Sequence, residues 1–166
     1  MGTSIRWMWL LAVVLALGGC DLQRISELEE GVASEADVRA RFGEPEKIWD
    51  APAGARILEY NRQPEGAKNY MITIGGDGKM AALRQVLTPQ NFARVLPTMM
   101  MEDVRRILGK PMRVTAYALK NQTHYDWRYQ DGPNKSDIQV FTVVFDSDMR
   151  VLGTGSTPDP DQEVRR

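Results

Sequence analysis

Apolar positions recur along this chain with two periods, helical and strand-like, in alternating blocks. Ile25, Leu28 and Val32 fall at i, i+3 and i+7, and Phe92, Val95, Leu96 and Met99 fall at i, i+3, i+4 and i+7. Each set makes one apolar stripe on a helix. Thr88-Pro89 opens the second of these helices, a capping hydroxyl followed by a proline where the missing N–H costs nothing. A further helix begins at Ser34-Glu35-Ala36-Asp37, a capping-box variant, and turns Val38 and Phe42 inward. Its later counterpart carries Val104, Ile107 and Leu108 on the same face. Gly43 and Gly109 stand where a left-handed C-terminal cap is wanted, and Pro45 and Pro111 then keep each helix from resuming.

The blocks that follow have period two. Leu58 and Tyr60 alternate with Ile57, Glu59 and Asn61, while Tyr125, Trp127 and Tyr129 alternate with His124, Asp126 and Arg128, so the aromatic face is the buried one. Hairpins are predicted for 69–74 with 80–86 across Gly75-Gly76-Asp77-Gly78, and for 138–145 with 149–153 across Asp146-Ser147-Asp148. A short extra strand fits 46–50.

The blocks form a repeat. Asp37-Val38-Arg39-Ala40-Arg41-Phe42-Gly43-Glu44-Pro45 returns as Asp103-Val104-Arg105-Arg106-Ile107-Leu108-Gly109-Lys110-Pro111, and Leu58-Glu59-Tyr60 as Tyr125-Asp126-Trp127. The expected architecture is α+β: two tandem helix-helix-three/four-strand antiparallel units, 20–87 and 88–155, with helices on one face of each sheet. Residues 156–166, with two prolines and five charges, read as a disordered tail.

Charge and composition narrow the function. Lys and Arg number 21 against 22 Asp and Glu, a net charge of −1, which supplies no basic field for nucleic acid. Residues 7–17 form an uncharged apolar run ending at Gly18-Gly19-Cys20, too short for the roughly 20 apolar residues of a membrane-spanning helix, so residues 1–19 read as a signal peptide. Leu17-Gly18-Gly19-Cys20 resembles the lipobox of bacterial lipoproteins, which implies cleavage before Cys20 and acyl chains on its sulfur and amine. The alternative, an ordinary free thiol behind a secretory signal, leaves the single cysteine with nothing to pair with. Asp21 resembles the inner-membrane retention signal of enteric lipoproteins, so inner and outer membrane both stay open.

The lipobox, the Asp37-Val38…Gly43-Glu44-Pro45 motif, the Glu59-Tyr60 strand and the closing Asp-Gly hairpin together resemble the SmpA/OmlA (BamE-like) family of bacterial lipoproteins. The likeness runs twice through the chain, where the family ordinarily has one unit. The family's Gly-Met turn is replaced by Gly31-Val32 in one copy and Pro97-Thr98-Met99 in the other. The tandem form is also similar to the fold of beta-lactamase inhibitor protein. This resemblance implies a non-enzymatic, periplasm-facing lipoprotein held by acyl chains on Cys20, with outer-membrane barrel-assembly components as partners and no cofactor. The alternative function is a tandem-repeat inhibitor or ligand-binding envelope lipoprotein.

Candidate chemistry is sparse. His124, the single histidine, shares a strand face with Asp126, but no serine elbow accompanies them, and a polar strand face is the plainer reading. One histidine with scattered carboxylates falls short of a metal cluster, so no metal is expected. The glycines at 75–78 precede a strand and offer no helix dipole for phosphate. Met99-Met100-Met101 reads as an inward-packed helix start or as a plastic contact surface. Trp49 and Tyr117, just beyond the helix stops, are candidate binding anchors or packing residues. Val140, Thr142 and Val144 alternate with Phe141, Val143 and Phe145, which makes both faces of that strand apolar. One face covers the helices, and the other is expected to meet the sister unit or a protein partner.

Overall fold

The computed structural model of the chain describes residues 28–134 and 137–161. Cys20, Asp21, Ile25 and the signal segment lie outside the described residues. Helix α1 (Glu35–Phe42) starts on the predicted capping box: Asp37 N–H donates to Ser34 Oγ at 3.2 Å, and Ser34 N–H donates to Asp37 Oδ2 at 2.8 Å. Strands β1 (Lys47–Asp50), β2 (Arg56–Asn61), β3 (Asn69–Ile74) and β4 (Met80–Gln85) follow, forming an antiparallel sheet in chain order. The second half repeats the plan with α2 (Pro89–Phe92), α3 (Met101–Leu108) and a second antiparallel sheet of β5 (Arg113–Tyr117), β6 (Gln122–Gln130), β7 (Ile138–Phe145) and β8 (Val151–Pro158).

Strand alternation sends one face of each sheet to a helix. In the first unit Leu58, Tyr60, Ile72 and Ile74 enclose Val38 and Phe42 of α1. In the second, Trp127, Phe141, Val143 and Phe145 enclose Val104 and Leu108 of α3, with Phe92 stacked on Phe141 at 4.1 Å between ring centres. The repeat extends to single hydrogen bonds. Tyr60 Oη donates to Gly43 O at 3.1 Å, and Trp127 Nε1, at the matching position, donates to Gly109 O at 3.0 Å. A buried aromatic thus ties each helix stop to its own sheet.

Three expectations need correction. The stripe through Met99 does not form one helix: α2 is a single turn, and Pro97 interrupts the pattern because it has no N–H and turns Leu96 away from helical geometry. Phe92 and Val95 are still buried, but Leu96 is exposed and Thr98 takes φ +72°. Likewise residues 30–32 form a turn with Gly31 at φ +82°. Secondly, Gly43 and Gly109 do not adopt the left-handed helical cap. Their φ/ψ values, +82°/−160° and +77°/−172°, lie in a region essentially reserved for glycine, while their N–H groups donate to Arg39 O and Arg105 O, both at 2.8 Å. Thirdly, the stretch from residue 156 is not a disordered tail as far as it is described. Ser156, Thr157 and Pro158 pair with Phe141, Val140 and Gln139 of β7, and Asp159 is buried. Backbone pairing and an ion pair with Arg128 hold what composition alone would release.

The joint between the units and candidate binding surfaces

The face of the first sheet turned away from α1 receives the C-terminal end of α3. Its centre is Glu59, 0% exposed on β2. Its carboxylate accepts Trp49 Nε1 at 3.1 Å, Arg105 Nη2 at 3.1 Å and Nε at 3.3 Å, and Lys110 N–H at 2.8 Å. Asn69, the other buried polar group on this face, donates from Nδ2 to Leu108 O at 2.9 Å and Lys110 O at 3.0 Å. It thereby serves one carbonyl that the end of α3 leaves unpaired and a second just beyond its glycine stop. Lys110 Nζ bonds Glu46 at 2.6 Å. The helix stop of one unit is therefore capped by the sheet of the other.

A second tie runs the opposite way. Gln63, between β2 and β3, donates to Arg128 O at 2.6 Å and accepts Arg128 N–H at 3.0 Å, using its amide like a strand residue. It satisfies the edge of β6 just past the point where β5 begins. The Arg128 guanidinium bonds Asp159 at 2.6 Å, Asp161 at 2.8 Å and Pro64 O at 2.5 Å. The chain end and the first unit thus meet on one arginine.

The sequence candidates divide between these places. Trp49 is 4% exposed and belongs to the joint, with Lys47 Nζ 3.7 Å and the Arg106 guanidinium 4.3 Å from its ring centre. Val140 is 3% exposed; Thr142 and Val144 are half-buried. Tyr117 is exposed and packs on His124, ring centres 4.3 Å apart. His124 Nε2 is buried without a hydrogen-bond partner. Asp126 does not orient it: that carboxylate accepts Arg113 Nε at 3.0 Å and Thr142 Oγ1 at 2.6 Å. The pair required for a catalytic triad is absent among the described residues. Val114 and Leu119 are also exposed, so β5 and its turn carry apolar side chains open to solvent. Burial holds the Tyr125 phenol above its ordinary pKa, partly opposed by nearby Arg105.

Sequence reasoning placed Glu59 on the polar outer face and missed its role, along with Asn69, Gln63 and Arg105. One signal was available. Arg39 and Arg105 occupy the same repeat position, but Glu35 and Glu44 around the first become Met101 and Lys110 around the second. Arg105 has lost both local acids and must find one elsewhere.

Residues 85–155, the segment holding α2, α3 and all but the end of the second sheet, match the family profile of the outer membrane protein assembly factor BamE domain. The second unit is thus similar to a BamE domain. No curated protein matches the chain in sequence. Among solved structures, a DUF4309 family protein from Bacillus subtilis subsp. subtilis str. 168 is similar at 19% identity, covering 82% of this chain and 86% of its own, with a TM-score of 0.33. A candidate beta-lactamase inhibitor protein from Streptococcus mutans is similar at 10% identity, covering 84% and 97%, with a TM-score of 0.34. The matched unit contributes α3 to the joint and carries Tyr117, Val140, Thr142 and Val144 on its sheet. No helix among the described residues is long and apolar enough to cross a membrane.

Proposed function

We propose that this chain is a lipid-anchored, periplasm-facing lipoprotein that binds other proteins as an accessory in outer-membrane protein assembly. The observation that carries the reading is the BamE domain match over residues 85–155. The lipobox ending at Cys20 supports the anchor, since several acyl chains hold a protein stably where one does so only marginally. Engagement of Asp126 by Arg113 and Thr142 favours binding over catalysis, because His124 lacks the carboxylate that would orient it. The exposed Tyr117 and the half-buried Val144 belong to the sheet surface offered to partners.

The test is affinity isolation of the full chain from gently solubilised native membranes, with mass spectrometry of the co-purifying proteins. Recovery of outer-membrane barrel-assembly components supports the assembly role; a different abundant partner, or none, overturns it. Cys20→Ala tests the anchor separately. The variant should leave the membrane fraction and lose incorporation of labelled palmitate, and unchanged fractionation would count against acylation. Density separation of the two membranes then decides between the family's outer-membrane location and the retention signal suggested by Asp21.

A further inference from the structure

The two units differ where each helix faces its edge strand. In the first, Arg39 bonds Glu35 at 2.9 Å and also Glu44, while Glu35 reaches Arg56 on β2, so an ion network bridges α1 to the sheet. The repeat places Met101 for Glu35, Lys110 for Glu44 and Thr123 for Arg56 in the second unit. Arg105, without those acids, crosses to Glu59 of the first unit. What remains between α3 and β5 is a cavity of about 340 Å³. Its apolar walls include Met101, Val114 and Tyr125, and its charged lining residues are Arg105, Lys110 and, at the start of β5 with its guanidinium on Asp126 of the other sheet face, Arg113, with no acid among the lining residues.

This groove opens beside a sheet edge. Strand β5 is terminal in its sheet and, among the described residues, pairs only with β6. Four of its five residues are exposed, and residues 114–119 carry no charge. Edge strands are ordinarily blunted by charge, as β1 is by Lys47 and Asp50 at its two ends. An unpaired backbone, an apolar slot and a cationic rim lie together.

We propose that the groove between α3 and β5 takes an extended acidic segment of a partner protein. The segment pairs its backbone with the outer edge of β5 and seats a bulky apolar side chain among Met101, Val114 and Tyr125. Its carboxylates face Arg105, Lys110 and Arg113. The three cations already have protein partners in Glu59, Glu46 and Asp126, but Lys110 and Arg113 are exposed and present their remaining donors to solvent. Strand pairing supplies affinity, and the slot on alternate side chains supplies specificity. A peptide fits better than a lipid because only a peptide uses the β5 backbone. The inference rests on the reading of this chain as a protein-binding module, not on which assembly it serves.

The experiment is fluorescence anisotropy of the full chain in nonionic detergent with a fluorescein-labelled peptide, Glu-Val-Asp-Phe-Glu-Val-Glu. Binding should saturate, and methylating alternate peptide nitrogens should weaken it about tenfold or more by removing the strand pairing. Met101→Glu with Thr123→Arg rebuilds the closing ions of the first unit and should have a similar effect. Val114→Asp, at an exposed position, provides the same readout should the double variant fail to fold. Ile48→Asp, the matching site on β1, should change affinity less than about twofold. Absence of saturable binding overturns the proposal. So does binding that tolerates N-methylation and is displaced by decanoate, which would assign the groove to anionic amphiphiles. Failure here with barrel-assembly proteins still co-purifying removes only this inference; peptide binding without those proteins removes only the assembly role.

Discussion

Replacing Glu59 with leucine removes the acceptor at the joint while nearly keeping side-chain volume, so the cavity term is small. Two donors lose their partner, the Trp49 indole N–H and the Lys110 backbone N–H, at about 1–2 kcal/mol each. The Arg105 side chain is 26% exposed and can turn to water, so its loss adds at most about 1 kcal/mol. Burial of the leucine methyls returns about 1 kcal/mol. The net expectation for Glu59→Leu is destabilisation of about 1–4 kcal/mol, centred below the roughly 3–5 kcal/mol for breaking a fully buried ion pair. Urea unfolding of the full chain, followed by both far-UV circular dichroism and tryptophan fluorescence, measures it. Because the damage is confined to the joint, the two probes should also cease to coincide as the units uncouple. Adding Arg105→Met should recover part of the loss, since the stranded cation is then gone. A Glu59→Leu protein as stable as the parent, with coincident transitions, would falsify the view that this carboxylate holds the units together.

The helix stops give a paired comparison: at Gly43 a new Cβ meets open space, whereas at Gly109 it lies 2.9 Å from Asn69 Nδ2. Gly43→Ala should therefore cost backbone strain alone, about 1–3 kcal/mol, and Gly109→Ala more than Gly43→Ala in the same melting experiment; equal losses would reject the close approach. Gln63→Ala leaves the Arg128 N–H and C=O without partners and should destabilise by about 1–3 kcal/mol, with faster hydrogen exchange at Arg128 as the local readout. Hydrogen bonds from the Ser34 hydroxyl and backbone hold the Asp37 carboxyl below its ordinary pKa. Its contribution is therefore complete above the ordinary aspartate range and lost as pH falls through the lowered folded-state value. Ser34→Ala should raise the pKa of Asp37 in an NMR titration, and no change would exclude the capping box as its cause.

Period and punctuation alone carried much of the local plan. Serine and aspartate at 34 and 37 make a capping box through atoms three residues apart, and the hairpins follow from alternation around short turns. The stripe at 92–99 misled because Pro97 outweighs periodicity, and residues 156–158 misled because a polar strand persists when β7 supplies its hydrogen bonds. The candidate surface was legible only in part. Val144 lies on the sheet face that alternation assigned it, but the same alternation put Glu59 on a polar face that α3 in fact covers.

By itself the sequence determined the two-fold repeat, the sites of the helix stops and the inward face of each sheet, all set by interactions within a few residues of one another. It also held the exchange of Glu35 and Glu44 for Met101 and Lys110. Only the tertiary structure decided what that exchange does. Glu59 and Arg105 are 46 residues apart, and an arginine deprived of nearby acids can pair with any carboxylate that packing brings within reach. Docking of α3 on the first sheet chose Glu59, buried Trp49 and left the groove beside β5 open.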